Sequence, residues 1–160
     1  MTLYKVFFKD LKLRKPDIQL KCQSKSIQEQ ISKILESTGN VMDNHKPEAI
    51  VILGDTNSGL SAIVAKRKKI PIFHLEAGDR SFDNEVPEEL NRRIIDHTSD
   101  INLAYTEHSR RNLIQEGIHP KNIFVIGSPI KEVYDNLKID FKKSKIVSKL
   151  SLKRKKYFLS

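Results

Sequence analysis

The sequence predicts an α/β fold in which helices flank a parallel sheet, and two patterns support this. Short apolar runs rich in β-branched residues alternate with segments of helical periodicity along the 160 residues. The first run, residues 49–53, is apolar throughout, which is typical of a strand buried on both faces of a parallel sheet. Strands that alternate with helices need crossover connections and therefore run parallel.

The predicted elements follow one another from residue 23 onward. Apolar residues recur at helical spacing from Ile27 to Leu35 and predict an amphipathic helix that ends near Gly39 or shortly beyond. Pro87 is suited to the first turn of a later helix, where its missing N–H costs nothing. The predicted strands are residues 49–53, 70–75, 101–104 and 123–126, and the helices that follow them start near residues 55–58, 87, 106 and 130.

The positive charge is concentrated at one end of the chain. Residues 138–160 contain eight lysines, one arginine and one aspartate, so they carry +8 of the net +9. We therefore divide the chain into a sheet domain, residues 1–137, and a basic tail or start of an interdomain segment, residues 138–160. The pattern favours a solvated tail and no nucleic-acid partner, although contact with an anionic membrane or a nucleic acid remains the alternative.

Two further features concern the compartment. Cys22 is the only cysteine, which excludes an intrachain disulfide framework and indicates a reducing setting. The first twenty residues lack the apolar core of a signal peptide, and no apolar run reaches the length of a membrane span. We expect a cytoplasmic protein.

Polar side chains cluster where the predicted strands end. Asp55 follows the first strand, and His74, Glu76 and Arg80 surround the end of the second. Ligands of open parallel sheets bind beyond the carboxyl ends of the strands, so these residues are candidates for a site. Simpler explanations are a helix cap for Asp55 and a solvated ion pair between Glu76 and Arg80.

A third acidic position opens the helix at Pro87. Glu88 lies in its first turn, and an ion pair with Arg92 one turn later would explain it without chemistry. Asp96, His97 and Asp100 lack a recognised metal-ligand spacing, so we expect no metal.

Taken together, these motifs resemble a known family. Gly54-Asp55-Thr56, His74-Leu75-Glu76-Ala77-Gly78 with Arg80, residues 87–92 and residues 126–129 resemble the second half of the N-terminal domain of non-hydrolysing UDP-N-acetylglucosamine 2-epimerases. Within the family, residues 81–87 and 96–102 most resemble the UDP-N-acetyl-L-fucosamine synthases, which epimerise C2 of UDP-2-acetamido-2,6-dideoxy-L-talose for capsule or O-antigen.

The resemblance implies a partial Rossmann-like sheet within a two-domain fold like that of B-type glycosyltransferases, with the active site between the domains. It implies epimerisation by elimination and re-addition of UDP, without a cofactor, by enzymes that are homodimers at full length. By position, Asp55, Glu76 and Glu88 match the catalytic carboxylates. His74 and Arg80 flank them as substrate-binding residues.

The chain also departs from the family pattern. The first twenty residues lack the opening strand that ends in Gly-Thr-Arg-Pro-Glu, and the chain stops before the expected His-Arg-Glu segment. We therefore expect a fragment with an open apolar edge at residues 49–53, weak stability and no epimerase activity alone. The alternatives are an inactive truncated remnant, a glycosyltransferase-like domain and a binding module that acts through its basic tail.

Overall fold

The computed structural model describes residues 8–9 and 11–153, with the side chains of residues 139–142 left out of the description. The chain forms two compact units. One comprises Pro16–Ser128 and contains the sheet, and the other comprises the residues before Pro16 and after Ser128. The described helices include none that is both long and apolar enough to span a bilayer. The division predicted after residue 137 stays a prediction.

The elements of the described residues alternate as the sequence predicts. In order they are α1 (Ile27–His45), β1 (Ile50–Leu53), α2 (Ser61–Arg67), β2 (Ile72–Leu75), α3 (Pro87–Thr98), β3 (Ile101–Ala104), α4 (Glu107–Gln115), β4 (Ile123–Val125), α5 (Ile130–Lys143) and α6 (Ile146–Lys149), with 3₁₀ turns at Asn57–Leu60 and Pro120–Asn122. All neighbouring strands pair in parallel, in the order β1-β2-β3-β4. The predicted α/β class with a parallel sheet is confirmed.

Helix α1 is longer than the sequence pattern suggested. It begins after Ser26, whose side chain caps the Glu29 N–H, and it ends before Lys46, which adopts a left-handed conformation with φ of 45°. Gly39 therefore lies inside the helix, and the helix continues because Met42, 93% buried in the core, extends the apolar face by another turn.

One face of the sheet carries the core. Register pairs Ile50 with Ile72, Ile52 with His74, and His74 with Asn102, so these side chains share a face. Two apolar clusters cover this face. The first contains Met42, Ile52, Ala62, Ala65, Ile72 and Ile95, and the second contains Ala77, Ala104, Leu113 and Ile123. Helices α1 to α4 thus all contribute to the same side of the sheet.

The opposite face of β1 is open. Val51 and Leu53 are each 67% exposed, and they pair in register with Phe73 and Leu75. The prediction that residues 49–53 are buried on both faces is therefore wrong, because only alternate side chains of β1 meet helices. Among the described residues β1 pairs only with β2 and forms the edge of the sheet, as expected for an open apolar edge.

This asymmetry predicts different costs for truncating side chains on the two faces. Ile72→Ala should lower the free energy of unfolding by about 2–5 kcal/mol, because Ile72 is fully buried. Leu53→Ala should cost less than about 1 kcal/mol and should reduce the binding of a hydrophobic dye. Urea denaturation of both variants checks this. Equal costs would show that the Leu53 face is covered in solution.

Candidate functional site

The carboxyl ends of β1, β2 and β3 form one rim. Pairing continues past the strands, with the Gly54 N–H bonded to the Leu75 carbonyl (3.2 Å) and the Ala77 N–H bonded to the Leu103 carbonyl (3.3 Å). One polar side chain follows the end of each strand: Asp55 after β1, Glu76 after β2 and Tyr105 after β3. We call these three residues the rim.

Glu76 leaves the strand path at the rim. Its φ of 67° is left-handed, a conformation that is unusual for a residue other than glycine, and Gly54 opposite has φ of 73°. The Glu76 carboxylate lies 3.3 Å from the point where a Cβ of Gly54 would be. A side chain at position 54 would therefore both strain the backbone and crowd Glu76, so the glycine leaves room for the carboxylate beside Asp55.

Asp55 is held by an arginine from helix α3. The Arg92 guanidinium donates to Asp55 Oδ2 from Nε (2.8 Å) and from Nη2, and its Nη1 donates to Glu89 Oε2 (3.0 Å). The side chains of Asp55 and Arg92 are only 19% and 15% exposed, so this ion pair is partly shielded from water. The capping explanation for Asp55 is thus replaced by an ion pair that joins the end of β1 to α3.

The two adjacent glutamates of α3 have different surroundings. Glu89 is fully buried and accepts hydrogen bonds from the Ser81 N–H (2.9 Å) and from Arg93 (2.9 and 3.1 Å). The Glu88 side chain is exposed, and it makes no hydrogen bond or ion pair with any residue in the part of the chain that the structure describes. The ion pair suggested between Glu88 and Arg92 is wrong, because helical phase points Arg92 to Glu89 and Asp55.

His74 lies beneath the rim. Its side chain is fully buried, with Nδ1 2.7 Å from Asp96 Oδ1 and Nε2 3.0 Å from the Gly54 carbonyl. A carbonyl can only accept, so Nε2 carries a hydrogen and donates it to Gly54. Both ring nitrogens are used inside the protein. This argues against the direct substrate contact predicted for His74 and favours a positioning role.

Arg80 is buried in the same way. It donates from Nη1 to Asp96 Oδ2 (2.8 Å) and from Nε and Nη2 to Glu116 (2.7 and 2.6 Å). The solvated ion pair with Glu76 is therefore wrong, since the guanidinium is saturated by two other carboxylates. Arg80 anchors the loop after β2 to α3 through Asp96 and to the residue that follows α4 through Glu116, and its burial also argues against substrate contact.

The surroundings of Glu76 disfavour its ionised form. Burial raises the pKa of the Glu76 carboxyl, the nearby carboxylates of Asp79 and Asp55 raise it further, and Arg92 and His74 oppose the shift. The Glu76 side chain forms no hydrogen bond or ion pair among the described residues, whereas Asp55 forms an ion pair with Arg92. Two neighbouring carboxylates in unequal surroundings are suited to separate acid and base roles.

Tyr105 is a rim residue that the sequence interpretation missed. Burial raises the pKa of its phenol, and the carboxylates of Glu76 and Asp79 add to the rise. The signal was present in the sequence, because Tyr105 directly follows the predicted strand 101–104. No group of three or more potential metal ligands is found within the described part of the chain.

The buried Asp96 carboxylate should be critical for stability. Asp96→Asn should lower the free energy of unfolding by about 3–5 kcal/mol, because His74 and Arg80 would lose their buried anionic partner. The matched control is Asp43→Asn, which removes an exposed ion pair with Lys68 and should cost less than about 1 kcal/mol. Denaturation followed by circular dichroism measures both. Similar small losses would contradict the role of the network.

The proximity of Glu76 and Tyr105 predicts a coupled titration. Glu76→Gln should lower the pKa of Tyr105 toward its ordinary value, because the negative charge that disfavours the phenolate is removed. A pH titration of ¹³C-labelled tyrosine by NMR checks this. Glu36→Gln, which changes an exposed carboxylate of α1, should leave the Tyr105 titration unchanged. A Tyr105 pKa unaltered in Glu76→Gln would show that the two side chains are not neighbours.

A family model described as UDP-N-acetylglucosamine 2-epimerase matches residues 1–160. UDP-N-acetylglucosamine 2-epimerase of Methanococcus maripaludis is 39% identical over an alignment of 160 positions that covers 97% of this chain and 43% of that protein.

Solved structures agree. The UDP-N-acetylglucosamine 2-epimerase of Rickettsia bellii matches with a TM-score of 0.89 and 50% identity, over 94% of this chain and 40% of that one. The Methanocaldococcus jannaschii enzyme in complex with UDP-GlcNAc and UDP matches with a TM-score of 0.84 and 41% identity, over 91% of this chain and 41% of that one. The chain spans about two fifths of the length of these relatives, and it belongs to the UDP-N-acetylglucosamine 2-epimerase family.

Proposed function

We propose that this chain supplies the catalytic rim of a sugar-nucleotide C2 epimerase. The observation that carries the proposal is the pair of neighbouring carboxylates, Asp55 and Glu76, at the ends of β1 and β2. They differ in environment, since Asp55 is paired with Arg92 and Glu76 is not. The similar Methanocaldococcus jannaschii enzyme was solved in complex with UDP-GlcNAc and UDP, which supports a UDP-sugar as the ligand.

The proposed reaction balances without an added oxidant or reductant. A base removes the C2 proton as the bond between C1 and the UDP oxygen breaks, so the electron pair of the C–H bond forms a C1=C2 double bond and UDP leaves as an anion. UDP then adds back at C1, and an acid returns a proton to C2 from the opposite face. Burial raises the pKa of the Glu76 carboxyl, so this group holds its proton to higher pH than an ordinary glutamate, as suits an acid–base group.

Each predicted residue has a place in this scheme. Asp55 and Glu76 are the proposed acid–base groups, and Glu88, exposed in the first turn of α3, is the third carboxylate available to a ligand. His74 and Arg80 act beneath them as positioning residues. His74 fixes the Gly54 carbonyl, and Arg80 fixes the loop that follows Glu76.

The finer proposal concerns the sugar and its use. The resemblance of residues 81–87 and 96–102 to the UDP-N-acetyl-L-fucosamine synthases supports UDP-2-acetamido-2,6-dideoxy-L-talose as the substrate. Such an enzyme would act in the cytoplasm, as a homodimer at full length, and would provide precursors for capsule or O-antigen. The alternative is an inactive truncated remnant of such an enzyme.

Activity assays separate these possibilities. The chain alone should turn over neither UDP-GlcNAc nor the 6-deoxy-talose nucleotide. A chimera in which it replaces the matching segment of the Methanocaldococcus jannaschii enzyme should turn over at least one of them. In that chimera Asp55→Asn or Glu76→Gln should lower kcat by about 10²- to 10⁴-fold, as expected for loss of acid–base catalysis. Exchange of the C2 proton with deuterated solvent, followed by NMR, measures the reaction.

Glu36→Gln on α1 serves as the matched control, because it makes the same chemical change at an exposed carboxylate and should leave kcat unaltered. Substantial turnover by the isolated chain would contradict the need for further segments. An active chimera that tolerates Asp55→Asn and Glu76→Gln would contradict the proposed rim chemistry.

A further inference from the structure

Tyr105 occupies the third position of the rim. β2 and β3 pair Leu75 with Leu103, and this pairing extends through the bond from the Ala77 N–H to the Leu103 carbonyl (3.3 Å). Glu76 and Tyr105 therefore end neighbouring strands. Burial raises the pKa of the Tyr105 phenol, and the nearby Glu76 carboxylate adds to the rise.

The hydroxyl of Tyr105 is free to donate a hydrogen bond to a ligand. Its side chain is half-buried, and its hydroxyl forms no hydrogen bond with any other residue that the structure describes. Polar groups removed from water usually have a partner, and a partly buried hydroxyl without one is suited to a ligand. With its pKa raised by burial and by Glu76, the phenol stays protonated at neutral pH and can donate.

The backbone that carries Tyr105 is fixed on both sides. Ala104 before it is fully buried, and its carbonyl accepts the Ile126 N–H (2.9 Å). Thr106 after it caps α4 by accepting the Ser109 N–H (3.0 Å). Ser109 in turn donates to Asp79 Oδ1 (2.6 Å). The Asp79 carboxylate therefore already has a hydrogen-bond donor within the protein. A side chain on so constrained a backbone is well placed to orient a ligand.

We propose that Tyr105 is a specificity-determining residue that donates a hydrogen bond from its phenol to a polar substituent of the sugar held beside Glu76. The inference rests on the proposed function and adds a residue to it. A hydroxyl or acetamido oxygen on the sugar is the matching acceptor. Tyr105 should therefore distinguish a nucleotide with its sugar from the nucleotide alone.

The test uses the full chain with Gly54 and Glu76 amide signals followed by NMR. UDP-GlcNAc and UDP are titrated separately into the unaltered chain, Tyr105→Phe and the control Tyr134→Phe, which makes the same chemical change at an exposed tyrosine of α5. Tyr105→Phe keeps the ring and removes one hydrogen bond, so the Kd for UDP-GlcNAc should rise about 2- to 10-fold. The Kd for UDP should not change, and Tyr134→Phe should match the unaltered chain for both probes.

Two results would overturn the inference, and they differ. If Tyr105→Phe binds UDP-GlcNAc with the affinity of the unaltered chain, or weakens UDP equally, Tyr105 does not recognise the sugar, and the proposed function stands. If the unaltered chain shows no response at Gly54 or Glu76 to UDP-GlcNAc at several millimolar, sugar-nucleotide binding at this rim fails, and the role of Tyr105 fails with it.

Discussion

The rim depends on one buried carboxylate. Asp96 accepts from His74 and Arg80, whose side chains are fully buried, and from the Gly78 N–H (3.2 Å). An isolated buried charge is very costly, so each of these groups is held in place by the others. Through His74, the carboxylate also fixes the Gly54 carbonyl at the end of β1. One side chain of α3 thus sets the relative position of two strand ends.

This network explains how Glu76 keeps an unfavourable backbone conformation. A left-handed residue other than glycine costs about 1–2 kcal/mol, and it persists only where the surroundings determine it. The loop after Glu76 is fixed at Gly78, whose carbonyl accepts from Asn112 (2.9 Å) and where a Cβ would lie 2.4 Å from the Ser109 carbonyl. The loop therefore passes directly against α4, which leaves the Glu76 carboxylate over Gly54 at the rim.

The sequence was sufficient for what depends on local pattern. It predicted four parallel strands and placed Asp55 and Glu76 at their ends, because a strand end and a following polar residue are visible in any short window. It could not assign partners to His74 and Arg80, since Asp96 and Glu116 are 22 and 36 residues away. The two-sided burial expected for β1 failed for a related reason, because the cover of a strand depends on elements distant in sequence.

Strand β1 belongs both to the open face of the sheet, through Val51 and Leu53, and to the rim, through Asp55 at its end. Val51 and Leu53 leave two large apolar side chains in water, and burying a side chain of this kind contributes about 1.5–3 kcal/mol. Leu53 directly precedes Gly54 and Asp55, so anything that covers this face would stabilise the strand that carries the first rim residue. Arg92 holds Asp55, and His74 holds the Gly54 carbonyl. The outer side of β1 is therefore the least constrained part of the site. The geometry of the rim is therefore expected to depend on how well β1 is covered as well as on the carboxylates themselves.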